Sequence, residues 1–167
     1  MTQRFLKIGA AGFLEEDTAI TMSAGADSAG LIPALAEDGR LDISFIPPNV
    51  IDVLASENIL KNNLVNIYNN SGVLNVRKAN ASVASRYATG FVIDNFNQGD
   101  VAMVHLSGVI TELSGLTVGA TEFLSNVTAG AMMETVVATS EHYVQEVGVA
   151  ITASSMIFRP RQAIKRA

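Results

Sequence analysis

The sequence contains no cysteine and no tryptophan, and only three tyrosines and two histidines. Without thiols, disulfides and thiolate metal sites are excluded, so a fold that lasts outside a cell would rest on its core or on oligomerisation. Charge is scarce as well. Charged residues make up 16% of the chain while hydrophobic residues make up 49%, against the roughly 25% charge of ordinary soluble domains. Mean hydropathy is +0.30. Such a chain either sits in a membrane or sets much apolar surface against other protein.

Long apolar runs are also missing. A spanning helix needs about 18 consecutive apolar residues, and the best stretch, Val101 to Ile110, is cut by His105, Ser107 and Gly108. Arg4 and Lys7 ahead of a short apolar run resemble a secretion signal only superficially. Glycines break that run, and Glu15, Glu16 and Asp17 end it. The expectation is therefore no membrane partner, with protein–protein burial accounting for the low charge. A net charge of −5 and a pI of about 4.9 argue against nucleic acid. The basic residues gather at one end: Arg159, Arg161, Lys165 and Arg166 are four of the eleven and fall in the last nine residues. They read either as a solvated, frayed tail or as an anchor onto an acidic neighbouring subunit.

Catalytic patterns are absent too. His105 lies within an apolar alternating stretch and His142 near a turn, and neither has metal-ligand spacing to the other or to a carboxylate. No Gly-x-Ser-x-Gly elbow, phosphate loop or dinucleotide fingerprint occurs. Glu15, Glu16 and Asp17 are contiguous and lack the alternate spacing of a calcium loop. No catalytic, cofactor-binding or metal-binding residue is expected, and no cofactor.

What is present is strand and turn chemistry. Residues 1–50 read as an extended, largely irregular arm, with recurrent glycine and alanine, an Asp38-Gly39 turn, the alternating Leu41 to Ile46, and a stop at Pro47-Pro48. Ile51 to Leu60 fits a helical turn or a first strand. Leu64 to Tyr68 and Val73 to Arg77 flank Asn69-Asn-Ser-Gly72, a strong hairpin signal. Further strand candidates follow at 88–94, 101–106, 109–113, 121–124, 133–138, 143–151 and 155–158, separated by glycine-bearing breaks. Residues 79–86 permit a short helix. The spacing predicts a mainly β fold, a small antiparallel β-barrel or β-sandwich, over residues 51–160. A basic tail, 161–167, would follow it.

Three stretches carry a resemblance. The first runs from Gly30-Leu-Ile-Pro through Asp38-Gly-Arg-Leu-Asp to Phe45-Ile-Pro47. The second is Leu64 to Asn80 with Tyr87-Ala-Thr-Gly-Phe-Val92. The third joins Leu113-Ser-Gly-Leu-Thr-Val-Gly-Ala-Thr-Glu-Phe-Leu-Ser125 to Tyr143-Val-Gln-Glu-Val-Gly-Val-Ala150 and Ile157-Phe-Arg-Pro160. Together they resemble the head decoration (cement) and head-fibre proteins of tailed bacteriophages. Similar motifs occur in phage tail fibres. The resemblance implies a C-terminal barrel or sandwich, an arm lying on the capsid, homotrimers at local threefold positions, and neither catalysis nor cofactor.

The expected function is that of a structural virion protein, not an enzyme, bound to the major capsid protein on the capsid surface and stabilising the head. The expected contact residues are Arg4, Phe5, Leu31, Ile32, Leu41, Phe45 and Ile46 in the arm, and Arg159 and Arg161 near the C-terminus. A tail-fibre or adhesin module binding host glycan is the alternative, although few aromatic platforms are available for sugar stacking. A virion-associated hydrolase is a third reading and would need His105 or His142 beside a carboxylate or serine.

Overall fold

The computed structural model describes residues 4–8, 12–28, 31–35, 37, 41–42 and 49–167. The chain divides into two compact units, Met1–Pro48 and Asn49–Ala167. In the first, β1 (Arg4–Ile8) and β2 (Leu14–Thr18) form an antiparallel ribbon in which Phe5 faces Asp17 and Ile8 faces Leu14. The expectation of a largely irregular arm missed this ribbon. Its strands show no clean apolar alternation, and diagonal ion pairs across the two strands, Arg4–Glu16 and Lys7–Asp17, stand in for a buried face. One 3₁₀ turn, Gly25–Ser28, follows. An isolated parallel bridge joins Ile20 to Pro33, with the Ala34 amide donating to the Ile20 carbonyl at 2.7 Å.

The second unit is almost entirely β. Its strands are β3 (Val50–Ala55), β4 (Leu64–Asn70), β5 (Val73–Lys78), β6 (Gly90–Phe91), β7 (Val101–His105), β8 (Gly108–Ile110), β9 (Thr121–Leu124), β10 (Met132–Met133), β11 (Tyr143–Val144), β12 (Glu146–Thr152), β13 (Ser155–Phe158) and β14 (Ile164–Lys165). Five of them close a barrel in the order β3-β5-β4-β6-β7. Four of its ladders are antiparallel, and β3–β5 is parallel, with Leu54 beside Asn75. The predicted hairpin is β4–β5. Its two-residue loop, Ser71-Gly72, holds φ of 54° and 93°, the left-handed pair that matches strand twist. The Asn69 side-chain oxygen accepts from the Gly72 amide at 2.7 Å.

A five-stranded antiparallel sheet, β10-β9-β12-β13-β8, and a small ribbon, β11-β14, complete the unit. Of the two readings of residues 51–60, the strand is the one adopted. Residues 79–86 form turns with no helix, and the stretch expected as one strand over 143–151 is split at Gln145. The basic end is neither frayed nor separate: Ile164 pairs with Val144 and Lys165 with Tyr143, and the Lys165 ammonium pairs with Glu141.

Two apolar cores follow from strand parity. Val53, Ala55, Ile59, Val65, Val76, Val92, Ala102 and Val104 fill the barrel. Leu64 and Phe91, one residue out of phase with Val65 and Val92, turn outward and join Ile110, Leu124, Val147, Met156 and Phe158 of the sheet in a second cluster. β4 and β6 are thus buried on both faces where the barrel meets the sheet. The Phe91 and Phe158 rings meet edge to face at 5.3 Å, and burying each such ring contributes about 1.5–3 kcal/mol.

Candidate interaction surfaces

The β1–β2 ribbon places Arg4, Leu6 and Ile8 on one face and Phe5 and Lys7 on the other. Strand alternation brings Leu14 opposite Ile8, and Phe13 is next to it in sequence. Leu6, Ile8, Phe13 and Leu14 are 68–76% exposed. Arg4 is tied to Glu16 at 2.9 Å, and Phe5 is half-buried. Leu31, Ile32 and Leu41 are exposed. Phe45 and Ile46 lie outside the described residues.

Arg159 and Arg161 belong to the second unit and flank Pro160 beyond β13. Their amides donate to the carbonyls of Val147 and Glu146 at 2.9 and 2.8 Å, fixing the segment along β12. The Arg161 guanidinium reaches Glu146 at 3.1 Å. Both arginines line a groove of about 620 Å³ with Val149, Ile157 and Gln162. The predicted contact residues are therefore distributed over the two units, with Arg159 and Arg161 the pair that the fold brings together.

The sheet adds a surface that sequence reasoning missed. Register aligns Val109 with Ile157, Ile157 with Val149, and Val149 with Thr121, one row across four strands. Val109, Val149 and Ile157 are exposed, as is Ile151 nearby. Alternation would set Val147 and Val149 on the same face. Val147 is instead the extra residue of a β-bulge opposite β9, so it turns into the core while Val149 faces outward. The only signal in sequence was the glycine at 148. A Cβ there would overlap the Ile157 carbonyl, so the strands approach closely at the bulge.

Two polar groups are unusual. His105, at the end of β7, stacks on Phe91 with centroids 5.1 Å apart and 24° between planes. Its Nε2 is buried without a partner. Burial pushes its pKa below 6.5, with Asp94 partly opposing. The His142 ring meets an amide, its Nδ1 lying 3.0 Å from Asn126 Nδ2. Neither histidine reaches a serine hydroxyl or carboxylate among the described residues. Glu122 on β9 is 1% exposed, and its Oε1 has no partner. Burial pushes its pKa up, and Glu134 adds to the shift. Among the described residues no group of three or more histidine or acidic side chains is placed to hold a metal ion, and no helix is long and apolar enough to cross a membrane.

No family model matches this chain, and no curated protein matches it. A structural likeness is found to the crystal structure of the head fiber gp8.5 N base in bacteriophage phi29, at 12% identity and a TM-score of 0.47. It covers 66% of this chain and 92% of that one.

Proposed function

We propose that this chain is a structural, non-enzymatic virion protein, a decoration or cement protein that binds the major capsid protein on the outside of a phage head. One observation carries the reading: the β1–β2 ribbon leaves Leu6, Ile8, Phe13 and Leu14 bare. A two-stranded ribbon is marginal in water by itself, and bare apolar side chains on it favour a covered state. Ordering an arm of this length costs conformational entropy that contacts with a partner must offset. A capsid lattice offers those contacts many times over, so weak single contacts become effective through multivalency. The turn and strand motifs resembling phage head proteins support the same reading, and the trimeric state and head location we propose rest on that resemblance alone.

The test is occupancy on capsids stripped of decoration. Deleting residues 1–48 is expected to abolish binding, and replacing Leu6, Ile8, Phe13 and Leu14 together by serine to weaken it strongly. Undiminished occupancy of the deletion variant would remove the arm from the mechanism. Immunogold label confined to tails would overturn the head assignment.

A further inference from the structure

The second unit holds a cleft of about 510 Å³ whose lining includes Lys61, Glu112, Leu113, Leu116, Glu122, Met132, Met133 and Glu134. Its polar groups are unequally satisfied. Glu112 is neutralised by Lys61 at 2.8 Å. Glu134 spends one oxygen on the Thr117 amide, 2.6 Å away. Glu122 is 1% exposed, and its Oε1 neither reaches solvent nor meets a donor. An unpaired buried carboxylate costs several kcal/mol unless it is protonated or matched. The Glu134 charge makes ionisation of Glu122 harder still, so a cation placed beside the two would relieve Glu122.

The walls restrict which cation. Leu113, Leu116, Met132 and Met133 line the cleft, and methionine and leucine chains suit a methylene stem. Three or more ligating groups for a metal ion are not assembled among the described residues. The chain's own described cations are largely engaged: Arg4, Lys7, Lys61, Arg86, Arg161 and Lys165 all lie in ion pairs. We infer that this cleft receives a lysine or arginine side chain of another polypeptide, its stem along the Met and Leu wall and its charged head against Glu134 and against Glu122, whose buried carboxylate turns toward it on binding. The inference is independent of the arm and of the capsid reading.

The test uses the full chain and small probes: N-acetyl-lysine methylamide, N-acetyl-arginine methylamide and, as the uncharged control, N-acetyl-norleucine methylamide. Backbone amide shifts are followed by NMR during titration. Saturable shifts at Leu116, Glu122 and Met133 are expected with the cationic probes. Glu122→Gln, which keeps shape and removes charge, should weaken binding about tenfold or more, since a hydrogen bond to a charged group is worth roughly 1.5–3 kcal/mol. Glu134→Gln provides a second variant at a residue outside the core and should weaken binding less. Equal shifts with the norleucine probe, or unchanged binding by Glu122→Gln, would overturn the assignment.

Discussion

The side chain of Gln145 pairs with the backbone of Ala88 in both directions. Its Oε1 accepts from the Ala88 amide at 2.8 Å, its Nε2 donates to the Ala88 carbonyl at 2.9 Å, and the same Nε2 donates to the Arg161 carbonyl at 3.0 Å. One buried amide thus replaces a rung of β-ladder and ties the turn before β6 to the segment after β13. Gln145→Ala would leave three backbone groups without partners, at about 1–3 kcal/mol each when buried. The expected loss is about 3 kcal/mol or more in urea unfolding, read as a lower midpoint at an unchanged m-value. Gln145→Glu should also destabilise, because both donated bonds are lost.

Gly148→Ala tests the bulge. The added methyl would overlap the Ile157 carbonyl, forcing β12 and β13 apart. A loss of about 1–3 kcal/mol is expected, with amide protection falling first at Val149 and Ile157.

Phe91→Ala removes the ring that touches both His105 and Phe158. A cost of about 3–5 kcal/mol is expected from lost burial and the cavity left behind. Phe91→Leu should cost less.

Two groups, the half-buried His105 and the buried Glu122, make stability depend on pH in opposite senses. The His105 pKa is lower in the folded state than its ordinary 6.5, so the unfolded chain binds the proton more readily. Stability should fall as pH drops below about 6.5, and His105→Gln should flatten that slope. The Glu122 pKa is higher in the folded state than its ordinary 4.5, so the folded chain holds the proton longer. Its contribution should decline as pH rises above about 4.5. Glu122→Gln should remove the decline and stabilise the protein at neutral pH. Urea titrations from pH 4 to 8 on the three proteins check both signs.

The fragment Asn49–Ala167 should fold cooperatively on its own, because both apolar cores draw all their residues from it. A single sigmoidal urea transition, coincident by circular dichroism and fluorescence of its tyrosines, is the expected outcome.

Where local chemistry decides, the structure was legible in the sequence. The Asn69-Asn-Ser-Gly72 turn is local, as is the alternation that sends Leu64 and Val65 to different cores. Strands 121–124 and 155–158 were read with their observed bounds for the same reason. What long-range pairing decides was not legible. The parallel contact of β3 with β5, the bulge at Val147 that exposes Val149, and the row from Val109 to Thr121 depend on which strands become neighbours. β6 shrinks to Gly90–Phe91, and of the strand expected over 133–138 only Met133 is kept, in β10 (Met132–Met133), because their ladders end although apolar sequence continues. The ribbon at residues 4–18 was missed because its cross-strand pairs are ionic and its apolar residues face outward. Glu122 carried no signal at all: an isolated acid in a strand reads as solvated until its neighbours are known.

The barrel's closure has a consequence for synthesis. β3 emerges first, yet its two neighbours are β5 and β7, and the β7 ladder runs to His105, about 50 residues after Ala55. At roughly 5–20 residues per second, β3 waits about 3–10 s on the ribosome for its last partner. β8 waits in the same way for β13. Neither half of the unit can be built vectorially from its N-terminus, and a nascent chain stalled before residue 101 presents Val50, Ile51 and Val53 as an open edge. The yield of folded protein should therefore follow elongation through residues 101–105 and 155–158, and the chaperones that meet this chain will meet it as an unclosed barrel.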